Sequence, residues 1–216
     1  MNGITALKTA EMGILARQRE AHILCMSELG EWCDIPAVPK GYVLVDHERT
    51  GRQTAIYALS GLQCSIFALD IPPDLDSDIS VTAVTVDDPS LSSPLIVIHP
   101  YVPPHTTAKQ RRLFFNVILS QLQGYDLIIC GDLNDGSKTF SAINKHTKSP
   151  IEPIMKNFNL LVLNDDSITF PRSQSTLDVA LVTQSVEGAW SVINDLSSDH
   201  HVCEIEVTSH LISLSS

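Results

Sequence analysis

The sequence predicts an α/β or α+β sandwich, in which helices pack on the outside of β-sheet layers. Short strand-like apolar runs outnumber the helix-like segments, and only two or three helices separate them along the chain. Hydrophobic residues make up 44% of the 216 residues, which is enough for one sizeable core. We therefore expect a single domain over residues 1–216.

The first half of the chain predicts one helix followed by short strands. Apolar residues recur at roughly helical spacing over residues 4–22, and residues 22–26 then become strand-like. Three more strand candidates, YVLV, AIYAL and CSIFAL, lie between residues 41 and 71, separated by Gly or polar turns. Residues 79–86 alternate as a half-buried strand does, and a polar loop then leads into the apolar run LIVIHPY.

The second half mixes helices and strands. Residues 107–122 carry apolar side chains at helical intervals, and Gly124 ends this helix before the apolar strand DLIIC. Residues 150–164 predict a short helix and a strand. The segments DVALV and HVCEIEV predict two further strands.

The composition restricts the partners and the compartment. A formal net charge of −11 argues against a surface that binds nucleic acid over a wide area, because Lys and Arg supply most non-specific affinity for phosphates. A nuclease with a local basic patch, such as Lys109, Arg111 and Arg112, stays open. The sequence shows neither a membrane-spanning run nor a signal peptide, so we expect an intracellular protein, nuclear or cytoplasmic, without a membrane partner.

The cysteine pattern indicates reduced thiols. The five cysteines are odd in number, widely scattered and mostly in apolar surroundings, which does not fit a disulfide framework. None has the close pairing along the chain that zinc sites show. These residues are Cys25, Cys33, Cys64, Cys130 and Cys203.

Polar side chains stand at the ends of several strand-like runs. Because the ends of neighbouring strands converge in space, we expect these side chains to meet at one edge of a sheet. They are Glu28 after HILCMS, Tyr101 after LIVIHP, Asp132 and Asn134 after DLIICG, Asp178 within STLDVALV, and Ser198, Asp199 and His200 before HVCEIEV.

Taken singly, most of these residues have a simpler explanation. The segment GDLND is good turn chemistry, Glu28 fits a solvated loop, Tyr101 fits a packing aromatic, and SSDHH fits a polar loop. Asp178 is harder to explain in this way, because a carboxylate inside an apolar strand needs a cation or a hydrogen-bond donor. The order and coexistence of the motifs favour a site.

Six motifs follow one another along nearly the entire chain. They are an early Asn2, CMSE ending at Glu28, PYVPP with Tyr101, GDLN with Asp132 and Asn134, TF at Thr169 followed by STLD from Ser175 to Asp178, and SSDHH with Asp199 and His200. The series resembles the endonuclease/exonuclease/phosphatase superfamily, and within it the apurinic-like endonuclease domain of non-LTR (LINE-type) retrotransposons. GDLN and SDH together are specific to the superfamily, whereas YVPP and TF with STLD favour the retrotransposon branch.

The resemblance implies a four-layer α/β/β/α sandwich, in which two packed mixed β-sheets are flanked by helices. That family has a strand immediately before the early Asn, so we expect the first strand to be missing from this chain. It also implies Mg²⁺, or Mn²⁺ in its place, as the cofactor. Glu28 would be the main metal ligand, with Asp199 and Asn2 close by, and Asp132 and Asn134 would orient the attacking water, Asp132 as the base.

The resemblance further implies how the phosphate is held. His200 would bind the scissile phosphate, and Asp178 would keep its imidazole oriented and charged. Tyr101 would donate to a phosphate oxygen. Three hydroxyl residues would support the site or contact the DNA backbone as substrate-binding residues: Thr169, Ser175 and Ser198.

The leading hypothesis is a metal-dependent DNA endonuclease that nicks target DNA for retrotransposition, with a reverse transcriptase domain as a partner in a longer polyprotein. Two alternatives stay open. One is a superfamily phosphatase or phosphodiesterase acting on a lipid or small phosphate ester, which suits the acidic composition better. The other is a catalytically inactive remnant that acts as a binding scaffold.

Overall fold

Three helices and eleven strands form over the residues that the computed structural model describes, which are 6–29, 37–48, 54–72, 75, 79–91, 93–194 and 198–208. In chain order they are α1 (Ala6–Gln18), β1 (Ile23–Met26), β2 (Tyr42–His47), β3 (Ala55–Leu59), β4 (Cys64–Ile66), β5 (Ser80–Val86), β6 (Leu95–Tyr101), α2 (Ala108–Ser120), β7 (Asp126–Asp132), α3 (Glu152–Asn157), β8 (Leu160–Val162), β9 (Asp178–Thr183), β10 (Glu187–Ile193) and β11 (Val202–Thr208). None of these helices is long and apolar enough to cross a membrane.

The strands form one large mixed sheet and two small antiparallel ones. The large sheet has the order β4-β5-β6-β7-β9-β8, in which β6 and β7 run parallel and the other pairs run antiparallel. One small sheet has the order β1-β3-β2, and the other pairs β10 with β11. The sequence did not predict β10, because its residues EGAWSVI are mostly small or polar and only partly buried.

Apolar clusters arrange these elements in layers. Ile98 of β6 and Phe114 of α2 belong to a cluster that packs the helices α2 and α3 on one face of the large sheet. Ile128 of β7 and Ile56 of β3 belong to a second cluster, on the opposite face, which joins the large sheet to the small ones. A third cluster packs α1 on the β1-β3-β2 sheet around Tyr57. The predicted α/β/β/α sandwich is therefore confirmed.

A cavity of about 990 Å³ lies between the small sheets and the large one. It is bordered by α1, by β1, by β11 and by the inner face of the large sheet. Strand β1 pairs with β3, and β11 pairs with β10, so within the described residues β1 and β11 are not paired with each other. Asn2, which was predicted to be a metal ligand, lies outside the described residues.

Candidate active site

The closely spaced strands β6 and β7 lie inside the large sheet, and Asp132 stands at the end of β7. A Cβ atom on Gly131 would lie 2.0 Å from the carbonyl oxygen of Pro100, so this approach of the two strands requires glycine. Asp132 ends β7 and is the register partner of Asp178, which begins β9. Two carboxylates therefore lie side by side on the neighbouring strands β7 and β9.

Asn134 fixes the orientation of the Asp132 carboxylate. Its backbone N–H donates to Oδ1 of Asp132 and its side-chain Nδ2 donates to Oδ2, both at 2.8 Å. Nδ2 also donates to the carbonyl oxygen of Val102 at 3.1 Å. Asn134 has a φ of 45°, in the left-handed region that Asn tolerates better than most side chains. The Asp-Leu-Asn spacing thus allows Asn134 to donate a hydrogen bond to each carboxylate oxygen of Asp132.

The environment of Asp132 disfavours its charged form. The residue is 7% exposed, and burial together with the negative charges of Asp178 and Glu28 raises the pKa of its carboxyl group to about 7. The charge of His200 and the N–H of Asn134 act in the opposite direction and do not cancel the increase. A carboxyl group of this pKa is well matched to taking up a proton near neutral pH.

Asp178 and His200 form an ion pair next to Asp132. His200 Nδ1 lies 2.9 Å from Asp178 Oδ2. Burial works against the imidazolium, but the hydrogen bond and charge of Asp178, with the charges of Asp132 and Asp199, outweigh it and raise the pKa of His200 to about 9. The ring also packs on Phe170 with centroids 4.6 Å apart. His200 is therefore a fixed cationic donor whose Nε2–H is left for another acceptor.

Glu28 is held by Tyr101 across the two sheets. The Tyr101 hydroxyl donates to Glu28 Oε1 at 3.1 Å, and Glu28 follows β1 with a φ of 58°. A phenol has one O–H hydrogen, so in this arrangement Tyr101 orients Glu28, and donation to a phosphate requires that bond to open. The charge of Glu28 reaches Asp132, as the raised pKa of Asp132 indicates.

Thr169 supports Asp178 and His200 from behind. Its hydroxyl oxygen accepts the backbone N–H groups of Leu177 at 3.0 Å and Asp178 at 3.1 Å. Its carbonyl oxygen accepts the N–H of His201 at 2.8 Å. Thr169 is fully buried, so it positions the ion pair instead of contacting a ligand directly.

The structure thus brings together most of the predicted site residues that it describes. Tyr101 and Asn134 hydrogen-bond to residues that line the cavity. Ser175 does not line the cavity: its hydroxyl hydrogen-bonds to that of Ser173, and its backbone forms a β-bridge with Phe170. The predicted residues that line the cavity are Glu28, Asp132, Asp178, Ser198, Asp199 and His200.

These residues fit a hard divalent cation. Glu28, Asp132 and Asp199 offer only oxygen atoms, which suits Mg²⁺ or Mn²⁺. Burial, and after it the negative charges of Asp178 and Glu28, raise the pKa of Asp132, so the cluster has an excess of negative charge. A bound cation would supply the missing positive charge.

Arg111 supports the loops next to the site. The prediction that it belongs to a basic surface patch was wrong, because the side chain is buried. It is 6% exposed, and its guanidinium donates to the carbonyl oxygens of Leu133, Pro103 (3.2 Å), Thr106 (3.2 Å) and Asn134 (3.4 Å). Burial lowers its pKa, opposed by the charges of Asp135 and Asp132. The sequence could have indicated this burial, because helical periodicity places residue 111 on the same face of α2 as its buried apolar side chains.

We expect Arg111→Met to destabilise the chain by about 2–4 kcal/mol, because it leaves several buried carbonyl oxygens without their donor. Arg112→Met is the matched control, since Arg112 is the exposed neighbour in the same helix. Urea unfolding followed by circular dichroism measures the difference. Equal unfolding free energies for the two variants would contradict this role.

The layered fold and the arrangement of the site are those of the endonuclease/exonuclease/phosphatase class of proteins. Residues 95–204, slightly more than half of the chain, match the model of the Endonuclease-reverse transcriptase family, and the chain belongs to this family. A search of curated proteins gave no significant match.

Solved structures share the fold at low sequence identity. The endonuclease domain of TRAS1, a telomere-specific non-LTR retrotransposon, has a TM-score of 0.75 and 21% identity, over 94% of this chain and 93% of that one. A mannosyl-6-phosphatase of Bacteroides thetaiotaomicron has a TM-score of 0.63 and 15% identity, over 94% and 91%. TDP2 of D. rerio, complexed with a single-strand DNA product, has a TM-score of 0.63 and 13% identity, over 94% and 93%. Family and fold support phosphodiester hydrolysis as the general chemistry.

Proposed function

We propose that the chain is a Mg²⁺- or Mn²⁺-dependent DNA endonuclease that nicks target DNA for retrotransposition. The observation that carries the proposal is the joining of Asp132 with Asn134, of Asp178 with His200, and of Glu28 with Tyr101 around one cavity. The family match and the likeness to the TRAS1 endonuclease domain favour this substrate. A reverse transcriptase domain of a longer polyprotein is the proposed partner, and the nucleus or cytoplasm the proposed location.

The carboxylates divide the work in this proposal. Glu28 would hold the cation, with Asp199 and Asn2 as further ligands, and a bound Mg²⁺ would stabilise negative charge on the phosphate and the leaving oxygen. Asp132 is proposed to accept the proton of the attacking water. Asn134 keeps the Asp132 carboxylate in one orientation.

The positive side of the cavity binds the phosphate. His200 donates from Nε2 to a non-bridging oxygen, where negative charge builds in the transition state, and Asp178 holds the ring by Nδ1. Ser198 lines the cavity and is exposed, so it is the proposed contact to the DNA backbone nearest the reaction. Tyr101 orients Glu28, Thr169 positions Asp178, and Ser175 is proposed to contact the backbone further away.

A second candidate is hydrolysis of a small phosphate ester. The net charge of −11 disfavours a long polyanion, and the likeness to a mannosyl-6-phosphatase shows that the fold accommodates such substrates. The coexistence of the six predicted site residues around the cavity argues against an inactive scaffold. Bis(p-nitrophenyl) phosphate and p-nitrophenyl phosphate separate a phosphodiesterase from a phosphomonoesterase.

Supercoiled-plasmid nicking tests the proposal directly. We expect the chain to nick with Mg²⁺ or Mn²⁺ and to stop in EDTA, and Glu28→Gln to lose at least about a hundredfold in rate because its oxygen no longer carries charge. Glu187→Gln is the control, since this exposed glutamate lies on β10.

Two outcomes would count against it. Nicking that persists in EDTA would exclude the metal requirement. A folded chain that cleaves p-nitrophenyl phosphate but leaves the plasmid intact would favour the second candidate.

A further inference from the structure

Three soft or borderline ligands from three strands meet in the cavity. Cys25 on β1 and Cys130 on β7 have their sulfur atoms 3.7 Å apart. A ring nitrogen of His99 on β6 joins them, and the ligand atoms of the three residues lie within 4.8 Å of one another. Cys25 and Cys130 are partly buried and His99 is 4% exposed. The spacing along the chain does not show this group, because its members come together from different sheets.

The hydrogen bonds of His99 prepare one ring nitrogen for a ligand. Nδ1 lies 2.6 Å from the carbonyl oxygen of Cys130, which can only accept, so Nδ1 carries a proton. Nε2 lies 2.9 Å from Oγ of Ser27, a hydroxyl that can donate to it. Metal-binding histidines commonly donate the other ring N–H to a backbone carbonyl, which fixes the tautomer. The Nδ1 bond of His99 to the Cys130 carbonyl oxygen is of this kind, and in the neutral ring the lone pair is then on Nε2.

We propose that Cys25, His99 and Cys130 bind a borderline-soft divalent cation, of which Zn²⁺ is the representative. A tetrahedral cation with Zn–S bonds of about 2.3 Å holds two sulfurs about 3.8 Å apart, close to the separation that the chain presents. Two thiolates and one imidazole leave a fourth position for water or for the Ser27 hydroxyl. Both thiol protons leave to solvent when the cation binds.

The site would be selective and would join the two sheets. Mg²⁺ prefers oxygen ligands, so it does not compete for two sulfurs. His99 and Cys130 each lie two residues before an active-site residue, Tyr101 and Asp132, on the same strand face. A cation here would fix β1, and with it Glu28, to the large sheet.

Cobalt(II) is the probe for this site, because thiolate ligands give it a charge-transfer absorption in the near ultraviolet that oxygen ligands do not. We expect the reduced, metal-free chain to develop this band with one equivalent of Co²⁺ in the presence of excess Mg²⁺, and to lose it on addition of Zn²⁺. Cys25→Ala and Cys130→Ala should abolish the band. Cys64→Ala, the matched control outside the group, should keep it.

Two results would overturn the site: a folded wild-type chain without the band, or a band that persists in Cys25→Ala or Cys130→Ala. Circular dichroism checks folding of the variants. If either fails to fold, alkylation of the wild-type chain decides, since Zn²⁺ must protect Cys25 and Cys130 from iodoacetamide but not Cys64. Equal alkylation with and without Zn²⁺ would exclude the site. Neither measurement depends on nuclease activity.

Discussion

Asp132→Asn is expected to lower the rate of phosphodiester cleavage about 10²- to 10⁴-fold while the chain stays folded. The carboxamide has nearly the same shape as the carboxylate, but it cannot take up the proton of the attacking water. The change also removes a buried charge that Asp178 and Glu28 repel, as the raised pKa of Asp132 shows. That relief offsets the lost hydrogen bond from Asn134, so the free energy of unfolding should change by no more than about 1 kcal/mol.

The matched control is Asp135→Asn. Asp135 is the other buried carboxylate of this loop, and it accepts the hydroxyl of Ser149 at 2.5 Å, which an amide oxygen can also do. Single-turnover nicking with saturating Mg²⁺ compares the variants, and urea unfolding reports their stability. A near-normal rate for Asp132→Asn, or an equal loss in both variants, would exclude Asp132 as the base.

The sequence indicated which side chains belong to the candidate site where polar residues directly follow an apolar, strand-like run. Asp132 and Asn134 follow an apolar run, and Gly131 before them permits the close approach of β6 and β7. Asp178 inside an apolar strand required a partner, which the structure supplies as His200. The pairing of Asp132 with Asn134 could be inferred from local sequence, whereas the pairing of Asp178 with His200, which lie 22 residues apart, was implied by the family resemblance.

What the sequence did not predict depends on contacts between distant segments. Cys25 and Cys130 meet only because β1 packs over β7. The spacing of the two cysteines along the chain does not predict that their sulfur atoms lie close together. Arg111 was assigned to a basic surface by its charge, although helical periodicity places it on the buried stripe. Strand β10 carries no apolar run, so it is defined by its pairing with β11. Local patterns fix elements, whereas sheet packing fixes which side chains meet.

His200→Gln is expected to cost about 10²- to 10³-fold in the rate of cleavage, because the site loses its fixed cationic donor to the phosphate. His201→Gln is the matched control: it is the next residue, and its Nδ1 contacts the carbonyl oxygen of Ile168 instead of Asp178. The control should change the rate by less than about tenfold. A loss of the same size in both variants would point to disruption of the segment and not to a role of the imidazolium.

Asp178→Asn distinguishes a positioning role from an independent one. If Asp178 acts through His200, its loss and that of His200 remove the same interaction, and the double variant Asp178→Asn/His200→Gln should be little slower than His200→Gln alone. Multiplied losses in the double variant would show that Asp178 contributes separately, for instance through its charge beside Asp132. The Thr169 hydroxyl oxygen accepts the backbone N–H groups of Leu177 and Asp178, so Thr169→Val combined with His200→Gln should likewise be little slower than His200→Gln alone.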